Sequence, residues 1–446
     1  MTLQILKTKA ETAISENFAS VAGKLPGGGW VPKARADAMA QFHALGLPHR
    51  RIEAWKYTDL RAGLKEALKP ALPDKDAAGG AALNQALGPL AELDCIQLVF
   101  VNGQFRRAEM TASQAPGRSY EFETLARAIG DPAYDWMKLH FARPAPPDAD
   151  AMSALNTAFM TDGAVLRIAD GAALAVPIHL VFLADSTQPR SVTTSNLIKV
   201  GKGAKAVILE SHIAAGGSAR QANTATGLDI GDGAQVTHVK LLDEGAQSFH
   251  IGTWRTTIGA NATYRAFQLT IGAGIARNQL FVTFAGEGSN ADLSGAFLAR
   301  GNGHIDTTLI ADHAVPRCSS RELFKGVLDG RARGIFQGKL IVRPNAQKSD
   351  AKQMAQALLL SEDAEFDSKP ELEIFADDVA CGHGSTSGQI DEDLLFYLRA
   401  RGIPAPQARA MLIQSFIGEA LEKIEHEGIR EAMMAKAVGW LQASEG

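Results

Sequence analysis

Cysteine is scarce. Cys95, Cys318 and Cys381 are the only three in 446 residues, far apart and odd in number. They suit a reducing compartment better than a disulfide framework, and without a Cys-x-x-Cys they cannot close a four-thiolate metal centre within one chain. No long apolar run is present. The longest, around Ala175 to Ala184, is broken by Pro177 and His179 and falls far short of the roughly 20 residues a membrane span needs. Charge of one sign is not in excess: a formal net charge of -4 gives no electrostatic case for nucleic acid or an anionic membrane as partner. The opening MTLQILKTKAETAISENF lacks an apolar core followed by a small-residue cleavage site, which predicts a cytoplasmic protein. No Gly-x4-Gly-Lys-Ser/Thr occurs, so this chain is not expected to hydrolyse ATP through a phosphate loop.

Glycine, by contrast, is plentiful at 43 residues, and it recurs in register. An apolar residue, a glycine-rich turn, an alanine and an alternating strand repeat as IADGAALAV from Ile168, VGKGAKAVILE from Val200, IGDGAQVTHVKLL from Ile230 and IGANATYRAFQLTI from Ile258. AGEGSNADLSGAFL from Ala285 is a looser copy. Each copy has room for two short strands and no helix, so the repeat excludes a βαβ unit and predicts stacked coils of strand, a parallel β-helix-like solenoid. The fold class is therefore mainly β with helical ends. Residues 1–92 read as a helical domain, with a loose linker at 77–82. Residues 93–149 read as a hairpin at IQLVFVNGQF plus a connecting helix, 150–390 as the solenoid core and 391–446 as a C-terminal helical domain. Trp55, Lys56 and Tyr57 are read as docking the first domain on the rest.

Reactive side chains concentrate in ELEIFADDVACGHGSTSGQIDEDLLFYLRARGI, residues 371–403. Alternation from Glu371 to Val379 predicts a strand. The glycines around His383 predict a turn, and Asp391 is the expected N-cap of a helix that stops at Gly402. Cys381 and His383, two apart, would share one face of an extended chain and offer sulfur and nitrogen to a metal. A packed, unligated pair is the plainer alternative. Two apparent enzyme motifs fail on context: Gly384 to Gly388 centres on Thr386, and Gly286-x-Gly288 is followed by a strand rather than a helix. His304, Asp306, His313 and Cys318 match no closed zinc spacing. In the last segment, apolar residues from Ala408 to Ile424 span roughly 200° of a helix, wider than one core contact requires.

The 371–403 stretch resembles the C-terminal motif of the SufD family, scaffold subunits of the SUF iron-sulfur cluster assembly machinery. The resemblance extends through AQKSDAKQMAQALLLSEDAEFDSKPELEI (346–374), FKGVLDGRARGIFQGKLIV (324–342), RRIEAWKYTDL (50–60) and ALNTAFMTDGAVLRI (154–168), in the family's order. It implies a right-handed parallel β-helix with helical ends, a non-catalytic scaffold that pairs with SufB and binds the SufC ABC-type ATPase. It also implies that His383 is the histidine of cluster assembly at the SufB interface, with Cys381 its neighbour of lesser weight. Iron or a transient cluster would be shared with SufB rather than held by the isolated chain, and a homodimer of the isolated chain stays open. Since the family docks the ATPase through its C-terminal helices, Leu412, Phe416 and Ile417 are candidate docking residues. The turn GHGSTSGQI, in place of the HEATTSKI of the SufB sibling, favours SufD. A β-helix carbohydrate-active enzyme using Asp377 and Asp378, and a stand-alone metal-binding protein, are the rival readings.

Overall fold

The computed structural model describes residues 7–71, 80–109, 119–142 and 150–443. Helices α1 (Lys9–Val21), α2 (Val31–Leu45), α3 (Leu60–Gly63) and α4 (Gly80–Leu87) open the chain; Gly80 to Ala82, expected in a linker, begin α4, and 77–79 lie outside the described residues. Then come β1 (Ile96–Val101), β2 (Gln104–Glu109), β3 (Tyr120–Thr124), α5 (Leu125–Ala128), α6 (Met137–Ala142) and α7 (Ala151–Phe159). Sixteen strands follow: β4 (Ala164–Ile168), β5 (Ile178–Ala184), β6 (Arg190–Val200), β7 (Lys205–Ala214), β8 (Arg220–Ile230), β9 (Gln235–Asp243), β10 (Ser248–Ile258), β11 (Thr263–Ile271), β12 (Ile275–Phe284), β13 (Asn290–Ala299), β14 (His304–His313), β15 (Ser319–Leu328), β16 (Arg333–Val342), β17 (Asp350–Leu359), β18 (Glu365–Ile374) and β19 (Ala380–Gly388). Helices α8 (Glu392–Ala400), α9 (Ala405–Leu421) and α10 (Glu427–Gln442) close it.

The repeat becomes a parallel solenoid of about eight turns. Odd-numbered strands from β5 stack into a ten-stranded sheet that begins β2-β1-β5, and even-numbered strands into a nine-stranded sheet that begins β3-β4. The expected hairpin is β1–β2, with left-handed Asn102 and Gly103 at its turn. Because β1 also pairs in parallel with β5, the solenoid begins before residue 150.

The glycine turns explain the repeat. Gly203, Gly233, Asn261, Gly288, Arg317 and Lys348 all have positive φ at one edge of successive coils. Each donates its N–H to the next turn: Gly203 to Asp232 O, Gly233 to Ala260 O, Asn261 to Glu287 O, Gly288 to Pro316 O, Arg317 to Gln347 O and Lys348 to Asp378 O, at 2.7–3.4 Å. The left-handed conformation turns that N–H along the stack, and glycine adopts it without a Cβ penalty.

Helices cover both outer faces. α4, α9 and α10 pack on the ten-stranded sheet, and α1, α2 and α7 on the nine-stranded one. The docking expected of the Trp55 segment is present. Trp55 is buried, the Arg277 guanidinium lies 3.9 Å from its ring centroid, and Arg277 also holds Ala54 O and the buried carboxylate of Asp306. Thr58 hydrogen-bonds Asp306 and His304. His304 and Asp306 are thus committed to joining domains, whereas His313 points inside and pairs with Ser320.

Two local expectations need correction. The strand expected over 371–379 is β18, which ends at Ile374, and Phe375 to Val379 form the connection to β19. Pro370 is tolerated there because β18 is an edge strand. Cys381 to Gly384, expected as a turn, are regular strand, because the coil repeat continues through them and β19 pairs with β17 along its length.

Candidate functional site

The two ends of the solenoid differ. Each sheet starts with an antiparallel strand, β2 or β3, but finishes on a parallel strand, β19 or β18, that no further described strand pairs. An unpaired edge presents a row of backbone donors and acceptors to another chain. Apolar side chains stand exposed beside it: Met354, Ile374 and Phe375, the last 58% accessible.

His383 and Cys381 lie on this terminal strand. Register sets Cys381 opposite Ala351 and His383 opposite Gln353, both inward positions of β17, so the pair shares the inward face as an i, i+2 spacing requires. Nothing stacks beyond them. His383 is therefore exposed, and its ring has no hydrogen-bond partner among the described residues. Cys381 is half-buried against Val342, Ala346 and Ala376. Burial, followed by the negative charges of Asp350 and Glu322, pushes its thiol above the usual cysteine range. Of the two side chains, the imidazole is the readier ligand.

Behind them lies a feature the sequence reading missed. The inward column through His383 runs back to Gln353 on β17 and Glu322 on β15. Each is only 3% accessible. Neither oxygen of Glu322, and neither polar atom of the Gln353 amide, has a hydrogen-bond partner. Burial pushes the Glu322 carboxyl up to about 8. The signal existed in the spacing, 31 residues from Glu322 to Gln353 and 30 to His383, the period of the coils.

Cys95 and Cys318 are buried elsewhere, Cys318 beside Ser289, and no cysteine is in a disulfide. Among the described residues no three His, Cys, Asp or Glu side chains converge on a metal position. Asp377 and Asp378 are exposed on the β18–β19 connection, with Asp378 paired to Lys348.

The C-terminal helices present a different apolar face from the one expected. Ile417 is fully buried, and Leu412 and Phe416 pack against the same core, with the Lys325 ammonium 4.4 Å from the Phe416 ring centroid. α9 lies on the sheet with these residues inward because two faces are covered, one by the solenoid and one by α8 and α10. The exposed apolar side chains are Leu394, Phe396 and Tyr397 of α8 and Met411 of α9, with Phe396 73% accessible.

Comparison with known proteins agrees with this architecture. Residues 182–416 match the family described as SUF system FeS cluster assembly, SufBD core domain, and residues 29–180 match the SufBD protein N-terminal region. The chain is 32% identical to an iron-sulfur cluster assembly SufBD family protein of Synechocystis, over 87% of this chain and 86% of that one. It is 27% identical to the iron-sulfur cluster assembly protein SufD of Escherichia coli, over 89% and 90%. With SufD of Bacillus subtilis it shares 24% identity over 65% and 66%. No described helix is long and apolar enough to cross a membrane.

Proposed function

This chain belongs to the SufBD family of the SUF iron-sulfur cluster assembly system, and from that premise we propose that it is a cytoplasmic, non-catalytic SufD-type scaffold whose bare solenoid end pairs with a SufB-type subunit. The observation that carries this reading is the pair of unpaired edge strands, β18 and β19, flanked by Met354, Ile374 and Phe375 and carrying the unpartnered imidazole of His383. Edge pairing would supply hydrogen bonds, and the apolar flank would supply buried area. Iron or the nascent cluster is cargo here. His383 would give it one nitrogen ligand and Cys381 a secondary sulfur, with the remaining donors coming from the partner, since among the described residues no third ligand comes close.

The same reading assigns the SufC-type ATPase to the C-terminal helices. Leu394, Phe396, Tyr397 and Met411 are the apolar side chains available for docking, while Leu412, Phe416 and Ile417 brace the helices from beneath. ATP turnover on that side would reposition the helices against the solenoid and open the paired end to cargo. Family membership leaves the carbohydrate-active alternative without support.

The test is anaerobic co-expression of His383→Ala with SufB-type and SufC-type subunits, followed by iron and sulfide analysis of the purified complex. Subunit recovery should be unchanged and iron-sulfur content should drop. Normal content in an intact complex would remove His383 from the mechanism, and recovery of the chain without its partners would remove the scaffold reading.

A further inference from the structure

A cleft of about 590 Å3 lies on the opposite sheet from the C-terminal helices, floored by the outer face of β6, β8 and β10 and walled by α2, α6 and α7. It is four coils from β18, about 19 Å at the spacing of paired strands, and so is separate from the bare end. Its size is that of a small-molecule site.

The charges in the cleft do not balance. Asp37 is paired with Lys33 at 2.7 Å. Asp150 is spent on the N-terminus of α7, accepting from Met152 N, Ser153 N and the Ser153 hydroxyl, and on Gln279. Arg255, on β10, donates from Nη2 to the Ser153 hydroxyl at 2.7 Å, but its buried Nε has no acceptor. Among the described residues no carboxylate forms an ion pair with it; Asp150 acts on it only at longer range. A guanidinium taken out of water without a counter-ion is costly, and burial accordingly lowers its proton affinity. Lys138 stands at the mouth, sharing its charge with Asp135 at 2.8 Å, and Trp30 and Phe141 pack nearby with ring centroids 5.8 Å apart and planes tilted by 43°. The wall at α6 is a fitted one: a Cβ on Gly227 would sit 1.9 Å from the His140 ring, so the strand's missing side chain makes room for that imidazole.

We propose that this cleft binds a small organic anion, a flat ring bearing a phosphate or carboxylate, with the anionic group on Arg255 and the ring against Trp30 and Phe141. The guanidinium fork suits either head group, and the aromatic pair gives the ring an apolar bed. Such a ligand would bind independently of partner subunits.

The experiment is calorimetric titration of the full chain with three probes sharing one ring: 1-naphthyl phosphate, 1-naphthoate and the neutral 1-naphthylmethanol. At least one anion should bind at a single saturable site, about tenfold or more tighter than the neutral probe. The tighter anion identifies the head group, phosphate or carboxylate. Arg255→Gln should erase the advantage of the anion, and Ala225→Trp, which fills the floor, should abolish binding of all three. Should Arg255→Gln fail to fold, Lys138→Glu at the exposed mouth should still weaken the anion and spare the neutral probe. Equal binding of anion and neutral probe, no binding of any probe, or anion binding unchanged in a folded Arg255→Gln or Lys138→Glu chain would each overturn the proposal.

Discussion

The same inward column of the solenoid carries polar side chains in two places, and they are treated differently. On β9, His238 stacks on Trp254 at 3.8 Å and bonds Glu210 Oε1 at 2.9 Å, while His212 and the Trp254 indole reach the other Glu210 oxygen at 3.4 Å. Nearby, His250 bonds Glu244 at 3.0 Å and Lys240 donates to Asn278 at 3.2 Å. Burial opposes ionisation of Glu210, yet the bonds from His212 and His238 outweigh it and hold the carboxyl well below its usual range. Three, four and five coil positions along the column from His238 stand Glu322, Gln353 and His383, and among the described residues none has a hydrogen-bonding side-chain partner. Polar groups in the middle are part of the core; those at the end are left waiting for something outside the chain. Satisfaction, more than residue type, separates structural histidines from a candidate functional one.

The largest effect should come from breaking the satisfied cluster. Glu210→Ala strands His212, His238 and Trp254 in a dry interior and should cost about 3–5 kcal/mol in chemical denaturation. A loss under about 1 kcal/mol would put Glu210 in the same class as Glu322 and dissolve the comparison. Glu322 should behave in the opposite sense. Its carboxyl is raised from 4.5 to about 8 in the folded chain, so between those values the folded state holds a proton that the unfolded state has lost. Stability from this group is therefore complete below pH 4.5 and falls as pH rises toward 8, by about 1.4 kcal/mol per pH unit. Glu322→Gln should flatten that slope in denaturation series across the window; an unchanged slope would mean that Glu322 is already partnered.

How far the sequence could be read follows from the turns. Coils up to residue 288 use glycine or asparagine at the left-handed position, and the period is visible there. Arg317 and Lys348 occupy the same position in the next two coils, so the repeat continues in space after it fades in letters. This is why Cys381 to Gly384 looked like a turn: the glycines were legible, the coil they belonged to was not. His383 and Cys381 stood out because they are reactive types set among small residues. Glu322 and Gln353 did not, because a buried, unpaired state is a property of neighbours 30 residues away. For the C-terminal helix a wide apolar arc was legible, but which part faces the sheet depends on α8 and α10 packing over it, which spacing within one helix does not encode.

The smallest effects should come from glycines, and they contrast interior and end most simply. Gly326 faces inward on β15, and a Cβ there would lie 2.3 Å from the ring of Phe297, itself only 2% accessible; a Cβ on Gly334 would likewise lie 2.6 Å from that ring. A rigid ring in a closed interior has nowhere to move, so Gly326→Ala should cost about 1–3 kcal/mol by overpacking. Gly382, between Cys381 and His383, has ordinary strand backbone, and a Cβ there would meet nothing within 4 Å. Gly382→Ala should stay within about 0.5 kcal/mol of the parent in denaturation of the isolated chain. If it also lowers recovery of the partner subunit on co-expression, the space beside His383 is filled by that partner. Destabilisation of the isolated chain equal to that of Gly326→Ala would mean that the terminal coil is as closed as the interior, and the distinction between the two regions would fall.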